Sequence, residues 1–176
     1  DLRGICDLAD KYGALVMVHC ENEDAIRYLI GKHERNGDLA PKFHALSRPA
    51  AAEREATHRA LSLAEIVDTS IVIVHVSNRQ AMEEIERARK RGGKVAGETC
   101  PQYLLLTADD LDAAELEGAK FVCSPPPRDK ESQIACWEGL QNGTFELFSS
   151  DHCPFRYEDE GGKLNEKGKR NFRWIP

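Results

Sequence analysis

The chain is short of positive charge. Its 176 residues carry 24 Lys and Arg against 30 Asp and Glu, a formal charge of −6 at pH 7, so the basic stripe expected of a nucleic-acid surface is missing. No apolar run approaches the roughly 18 residues of a membrane span, and no basic-then-apolar leader opens the chain. These absences read as a cytoplasmic protein with neither nucleic acid nor membrane as partner. There is also no Gly-rich turn after a strand and no phosphate loop, which argues against a nucleotide site. None of the six cysteines, Cys6, Cys20, Cys100, Cys123, Cys136 and Cys153, forms a C-x-x-C pair with another, a scatter that fits neither a zinc knuckle nor a disulfide framework. Internal repeats of about 20 to 50 residues are absent. An initiator methionine is lacking as well, and both ends read as cut.

What is present is an ordinary globular composition, 41% hydrophobic and 31% charged, arranged in alternating patterns. Four apolar runs read as main strands, about 14 to 19, 71 to 77, 94 to 99 and 145 to 150, with helical material between them. Helices are expected before Gly13, with Leu2, Ile5, Leu8 and Ala9 on the apolar face, and from the acidic stretch after His19 through Leu29. Others are expected at about 50 to 67, after the capping pair Ser77-Asn78, and at about 130 to 141. Between Gly37 and Pro49 the pattern is irregular, and Phe121-Val122-Cys123-Ser124 reads as a further extended piece stopped by three prolines. The Gly-rich tail Arg156 to Arg173 reads as a mobile loop. Ile71 to Val76 is apolar on both faces, as in a covered parallel sheet. Strands alternating with helices describe an α/β fold. A closed barrel needs eight strands, so four would be half of one, and a four-stranded open sheet of the doubly wound kind competes with it.

Three of the runs end on a side chain that can bind metal: Leu15-Val16-Met17-Val18 into His19, Ile71-Val72-Ile73-Val74 into His75, and Phe145 to Ser149 into Asp151. In a parallel barrel the C-terminal tips of different strands share one mouth, and imidazole with carboxylate suits zinc. The opposing reading makes each a packed strand-end residue with a backbone partner. His33, His44 and His58 fall on helices or loops, and His152 reads as a structural neighbour of Asp151. Cys20 and Cys153 directly follow two of the candidates and read as small packed thiols rather than ligands. Glu21 reads equally well as a helix-start acid favoured by the dipole.

The wording of these segments resembles a known family. Val18-His-Cys-Glu-Asn22, His44-Ala-Leu-Ser-Arg-Pro49, Val74-His-Val-Ser77, Gly97-Glu-Thr-Cys-Pro-Gln-Tyr-Leu104, Cys123-Ser-Pro-Pro126 and Ser149-Ser-Asp-His-Cys-Pro-Phe155 look like the dihydropyrimidinase and hydantoinase branch of the amidohydrolase superfamily. Phe121 to Pro126, Arg128-Asp-Lys130 and Leu140 to Phe148 look most like the dihydropyrimidinases. Pro127 departs from the pattern, where leucine is expected. The resemblance implies that residues 1–176 are part of one catalytic domain, roughly strands five to eight of a metal-dependent (β/α)8 TIM barrel, and so a fragment of the amidohydrolase fold. It implies two Zn2+ ions per full-length subunit, with a bridging carboxylated lysine and a His-x-His upstream of Asp1. His19, His75 and Asp151 would be metal ligands, Asp151 also the catalytic base, and Ser124 a substrate-binding residue acting through its backbone.

The implied activity is hydrolysis of a cyclic amide, with 5,6-dihydrouracil or dihydrothymine opened to an N-carbamoyl-β-amino acid in pyrimidine catabolism, by a cytoplasmic homotetramer. A D-hydantoinase or allantoinase acting on a related cyclic ureide is the alternative. A metal-less scaffold of the collapsin response mediator type is the alternative of another class. The 176 residues alone are expected to be inactive, with open strands at the two sheet edges.

Overall fold

The computed structural model describes residues 2–153; the tail from Arg156 to Arg173 lies outside the described residues. Four parallel strands form one sheet: β1 (Val16–Val18), β2 (Ile71–Ile73), β3 (Val95–Thr99) and β4 (Leu147–Phe148). Seven α-helices run alongside: α1 (Leu2–Tyr12), α2 (Glu23–Asn36), α3 (Lys42–Leu46), α4 (Ala50–Ile66), α5 (Arg79–Lys90), α6 (Pro101–Leu105) and α7 (Lys130–Gln141). Each strand pairs in parallel with the next in the chain. That order decides between the two expected folds. A doubly wound sheet reverses its strand order at a switch point, whereas β1-β2-β3-β4 proceeds in one direction, as successive strands of an α/β barrel do.

The core explains why these segments take these forms. Ile71, Val72 and Ile73 are all buried, as are Ala81, Met82, Ile85 and Ala88 along one side of α5 and Ala56, Ala60, Leu61 and Ala64 along α4. Spacings of three and four place those residues on one helix face. Phe145 closes the end of this core. A Cβ on Gly139 would lie 2.5 Å from its ring, and one on Gly97 would lie 3.1 Å from it, so both glycines are needed for the ring to seat. Asn22 caps α2 by accepting from the Ala25 amide at 3.0 Å, and Gly37, at φ 76, ends it. Asn78 caps α5 in the same way through Ala81.

Several expected boundaries shift, each for a local reason. The ladders are shorter than the apolar runs, because β2 breaks at His75, whose φ is +43, before Val76 bonds to the Glu98 carbonyl at 2.8 Å. Helix α2 continues past Gly31 to Asn36, and the irregular stretch after Gly37 contains the short α3. Phe121 ends a 3-10 turn, Ala114–Phe121, so the piece expected to be extended begins only at Val122. On α1 the buried residues are Cys6 and Ala9, while Ile5 and Leu8 face outward. The expected open edges are present. Among the described residues, Leu15, just before β1, and Met17 within it are exposed, as are Leu147 and Phe148 along β4.

Candidate metal centre

Strands β1 and β2 bring His19 and His75 together at their C-terminal ends. His19 Nδ1 lies 2.9 Å from His75 Nε2, with the rings edge to face at 4.7 Å. Two ring nitrogens sharing one tetrahedral zinc at 2.0–2.1 Å stand about 3.3 Å apart, so the hydrogen-bond distance between these two is close to the spacing an ion requires. His75 is buried while the His19 side chain is 47% exposed, giving the pair one anchored and one open member. Burial, then the neighbouring His19, pushes His75 below the usual imidazole range, against the pull of the Asp151 charge. A neutral imidazole is the form that binds metal.

Backbone strain falls at the same place. Of the three non-glycine residues with positive φ among the described residues, two are His75, at 43, and Asp151, at 46. Conformations of this kind cluster where function over-determines the backbone. Asp151 follows β4 and is exposed. Its charge reaches both His75 and Cys100, but no group of three or more metal-competent side chains forms among the described residues. The strands thus join two of the three expected ligands and bring the third within electrostatic range.

Behind the histidines lies a polar layer that periodicity did not mark. Glu21 precedes the α2 cap rather than starting the helix. Its buried Oε2 sits 3.2 Å from His19 Nε2 and 3.7 Å from Arg48 Nε. A carboxylate on the far nitrogen of a ligand histidine orients the ring and raises its basicity. On α4, Glu53 accepts from the Ser77 amide at 3.0 Å, from its hydroxyl, from Asn78 Nδ2 at 2.7 Å and from Arg128 Nη2 at 2.9 Å. That fixes the turn directly after His75. The signal for Glu53 was available in the sequence: it shares the stripe of Ala56, Thr57, Ala60, Leu61 and Ala64, where an unpartnered charge would be prohibitive.

Among the described residues, four buried side-chain atoms have no hydrogen-bond partner, and three of them, His75 Nδ1, Glu21 Oε1 and Arg48 Nε, lie in or beside this cluster. Buried polar groups are almost always satisfied, so such a concentration marks a place adapted to a further polar or charged species. The donor types fit a divalent ion of the zinc type: two neighbouring imidazoles, a carboxylate behind one and a further carboxylate just after β4, two strands along from His75.

Ser124 is on the loop after Val122. Its hydroxyl lies 3.2 Å from His44 Nε2, and the same nitrogen is 2.9 Å from the Cys123 carbonyl. His44, passed over as a ligand, is fully buried and belongs to this loop's support. His33 and His58 pair with Asp38 and Glu84 at 2.9 and 3.0 Å, remote from the strand tips. His152 and Cys153 are exposed beside Asp151. Burial pushes the Cys20 thiol up to about 12 and Cys100 to about 11, so both stay protonated near neutral pH and neither is set up as a ligand or nucleophile.

No family model matches the chain. Individual proteins do. The D-hydantoinase of Rhizobium radiobacter is 49% identical over 170 residues, 97% of this chain and 36% of that protein. The D-hydantoinase of Geobacillus stearothermophilus is 45% identical over 168 residues, 96% of the chain and 35% of that protein. Among solved structures, the dihydropyrimidinase of Brevibacillus agri superposes with a TM-score of 0.93 at 43% identity, over 99% of this chain and 37% of that one. The chain therefore spans about a third of the length of the curated relatives it matches. Identity this high across nearly every described residue, with the same partial α/β barrel, decides the kinship: over the third that it spans, the chain is similar in sequence and fold to D-hydantoinases and dihydropyrimidinases.

Proposed function

We propose that residues 1–176 form strands five to eight of a cytoplasmic, homo-oligomeric cyclic-amide hydrolase and that His19, His75 and Asp151 are its zinc ligands on this side of the barrel. The observation carrying this reading is the approach of His19 Nδ1 and His75 Nε2 to 2.9 Å at the C-terminal ends of two paired strands. When bound, two zinc ions would supply hydroxide near neutral pH and polarise the ring carbonyl. The chain's own residues do the rest. Glu21 holds the His19 ring, and Glu53 fixes the turn behind His75. Asp151 takes the proton from the attacking hydroxide and passes it to the leaving ring nitrogen. The Ser124 backbone holds the ring in place, so the ring opens to a carbamoyl amino acid.

The substrate class is a small cyclic ureide. Dihydrouracil and dihydrothymine are favoured by the wording of residues 121–130 and 140–148. Hydantoins are favoured by the relatives named above, two of which are D-hydantoinases. Retention of His19, His75 and Asp151 speaks against a metal-less scaffold. The test is to purify a complete enzyme carrying these residues, measure bound metal, and compare kcat/KM for dihydrouracil, hydantoin and allantoin. Ring opening of dihydrouracil or hydantoin with zinc bound is expected. A zinc-loaded enzyme that opens none of the three would overturn the reading.

A further inference from the structure

His44 sits on α3, fully buried, about 80 residues in sequence from the loop it touches. Arg48 Nη1 lies 3.1 Å from His44 Nδ1. A guanidinium has donors only, so Nδ1 must be the accepting nitrogen and the ring proton is on Nε2. That N–H then points at the Cys123 carbonyl, 2.9 Å away, with the Ser124 hydroxyl at 3.2 Å. Arg48 is itself aimed by Glu21, whose Oε2 is shared with His19. The other end of the loop is fastened to the same segment, because Arg128 Nη1 donates to the Arg48 carbonyl. A continuous line of polar contacts therefore runs from the histidine pair through Glu21, Arg48 and His44 to the Cys123 carbonyl, which belongs to the peptide leading into Ser124, and to the Ser124 hydroxyl.

We infer that His44 is a positioning residue for substrate binding: held in one tautomer by Arg48, it sets the backbone of Cys123 and Ser124 at a fixed place relative to the His19 and His75 pair. This rests on the reading that the Ser124 backbone contacts the ring. Such a contact is made in the ground state as much as in the transition state, so its disturbance is expected in KM rather than in kcat. Loss of one buried hydrogen bond that shapes a site corresponds to about a tenfold change.

The test uses a complete, zinc-loaded enzyme carrying this chain and a pair of polar variants. His44→Gln keeps a donor where imidazole Nε2 stands, whereas His44→Asn stops one bond short of the Cys123 carbonyl while keeping an acceptor towards Arg48. His44→Asn should raise KM about tenfold with kcat and zinc content held within about twofold, and His44→Gln should recover most of that rise. An unchanged KM in His44→Asn, equal damage in both variants, or a parallel fall of kcat and zinc content would overturn the inference. Should His44→Asn fail to fold, Arg48→Gln removes the group that sets the tautomer and should raise KM severalfold; an unchanged KM there also overturns it. A wild-type enzyme that opens no cyclic ureide would instead defeat the functional reading and leave the KM comparison without a substrate, so the two failures are told apart by the wild-type assay.

Discussion

At the strand ends that carry His19, His75 and Asp151, Glu53 and Arg128 meet at 2.9 Å with side chains 3% and 8% exposed. At the opposite ends of the same sheet, Lys94 meets Asp68 at 3.0 Å with side chains 52% and 85% exposed, and Arg91 meets Glu65 at 3.1 Å. The chemistry is alike and the distances are nearly equal, yet the two ends do different work. Solvent screens the second set, which contributes about 0–1 kcal/mol per pair. The first set is desolvated and multiply bonded, so removing one partner strands a charge, at about 3–5 kcal/mol. A fold can tolerate the second arrangement anywhere, but the first is retained only where something must be held in register. Here it holds the turn after His75 and the loop after Ser124.

The sharpest break in this comparison is at the histidines. In a complete enzyme, His75→Ala should lose bound zinc together with about a thousandfold or more of ring-opening activity, since metal and nucleophile depart together. Metal analysis and a dihydrouracil assay on the same preparation check it. Unchanged zinc with full activity would remove His75 from the ligand set and reduce the C-terminal end to ordinary packing.

Next in size is the ion pair. Glu53→Ala leaves Arg128 buried beside Ser77 without its carboxylate and should lower unfolding stability by about 3–5 kcal/mol, read from the urea midpoint. The paired replacement Glu53→Met with Arg128→Met should be far less damaging than either single change suggests, because no charge is then left stranded. If the pair of changes is as harmful as the sum of the singles, the network acts through its hydrogen bonds to Ser77 and Asn78 more than through its charges.

These predictions depend on residues that were unevenly legible. His19 and His75 could be found because an apolar run ending on imidazole is a local pattern, and their meeting follows from parallel pairing of β1 with β2. The helices α4 and α7 fell where their periodicity and breakers put them. Glu21, His44 and Arg128 could not be assigned by such means. Besides near neighbours, each has partners 27 to 80 residues away: Arg48 for Glu21, Cys123 and Ser124 for His44, Arg48 and Glu53 for Arg128, and a charged residue near a cap has the same local pattern whether it faces solvent or a second buried charge. Glu53 was the exception that could have been caught, since its stripe on α4 is otherwise apolar or small. Strand length was misjudged for a related reason: hydrophobicity continues through Val76, while the ladder is interrupted by the positive φ at His75, a feature that no side-chain pattern encodes.

Asp129 tests the boundary between the two regimes, because it adjoins Arg128 but is exposed and caps α7. The Ser132 amide donates to it at 2.8 Å. Bonds from Ser132, backbone first, hold its carboxyl below the usual range, with Arg128 assisting against partial burial. A depressed folded-state value stabilises the protein above the unfolded value of about 3.9, and that contribution fades as pH falls through the lower folded one. Asp129→Ala should cost about 1 kcal/mol at pH 7, with the gap from wild type narrowing in acid, whereas Asp129→Asn keeps most of the cap. A gap of about 3 kcal/mol at pH 7 would place Asp129 within the buried network instead.

The smallest effect is expected at the opposite end of the sheet. Arg91 reaches one oxygen of Glu65, Oε2, through both Nε and Nη2, at 3.2 and 3.1 Å, two contacts where Arg128 makes one to Glu53 at 2.9 Å. If geometry alone set the strength of an ion pair, Arg91→Ala should match Arg128→Ala. Exposure argues otherwise, since both side chains are about half open to water, at 44% and 49%, and the charges are as well solvated apart as together. Arg91→Ala should therefore change stability by less than about 0.5 kcal/mol, and raising the salt from about 0.1 M to 1 M should erase even that. The corresponding salt series on Arg128→Ala should leave its larger loss in place, because ions do not enter where Glu53 and Arg128 meet. Equal losses, or equal salt sensitivity at the two ends, would mean that burial is not what separates the histidine-bearing end of this sheet from the other.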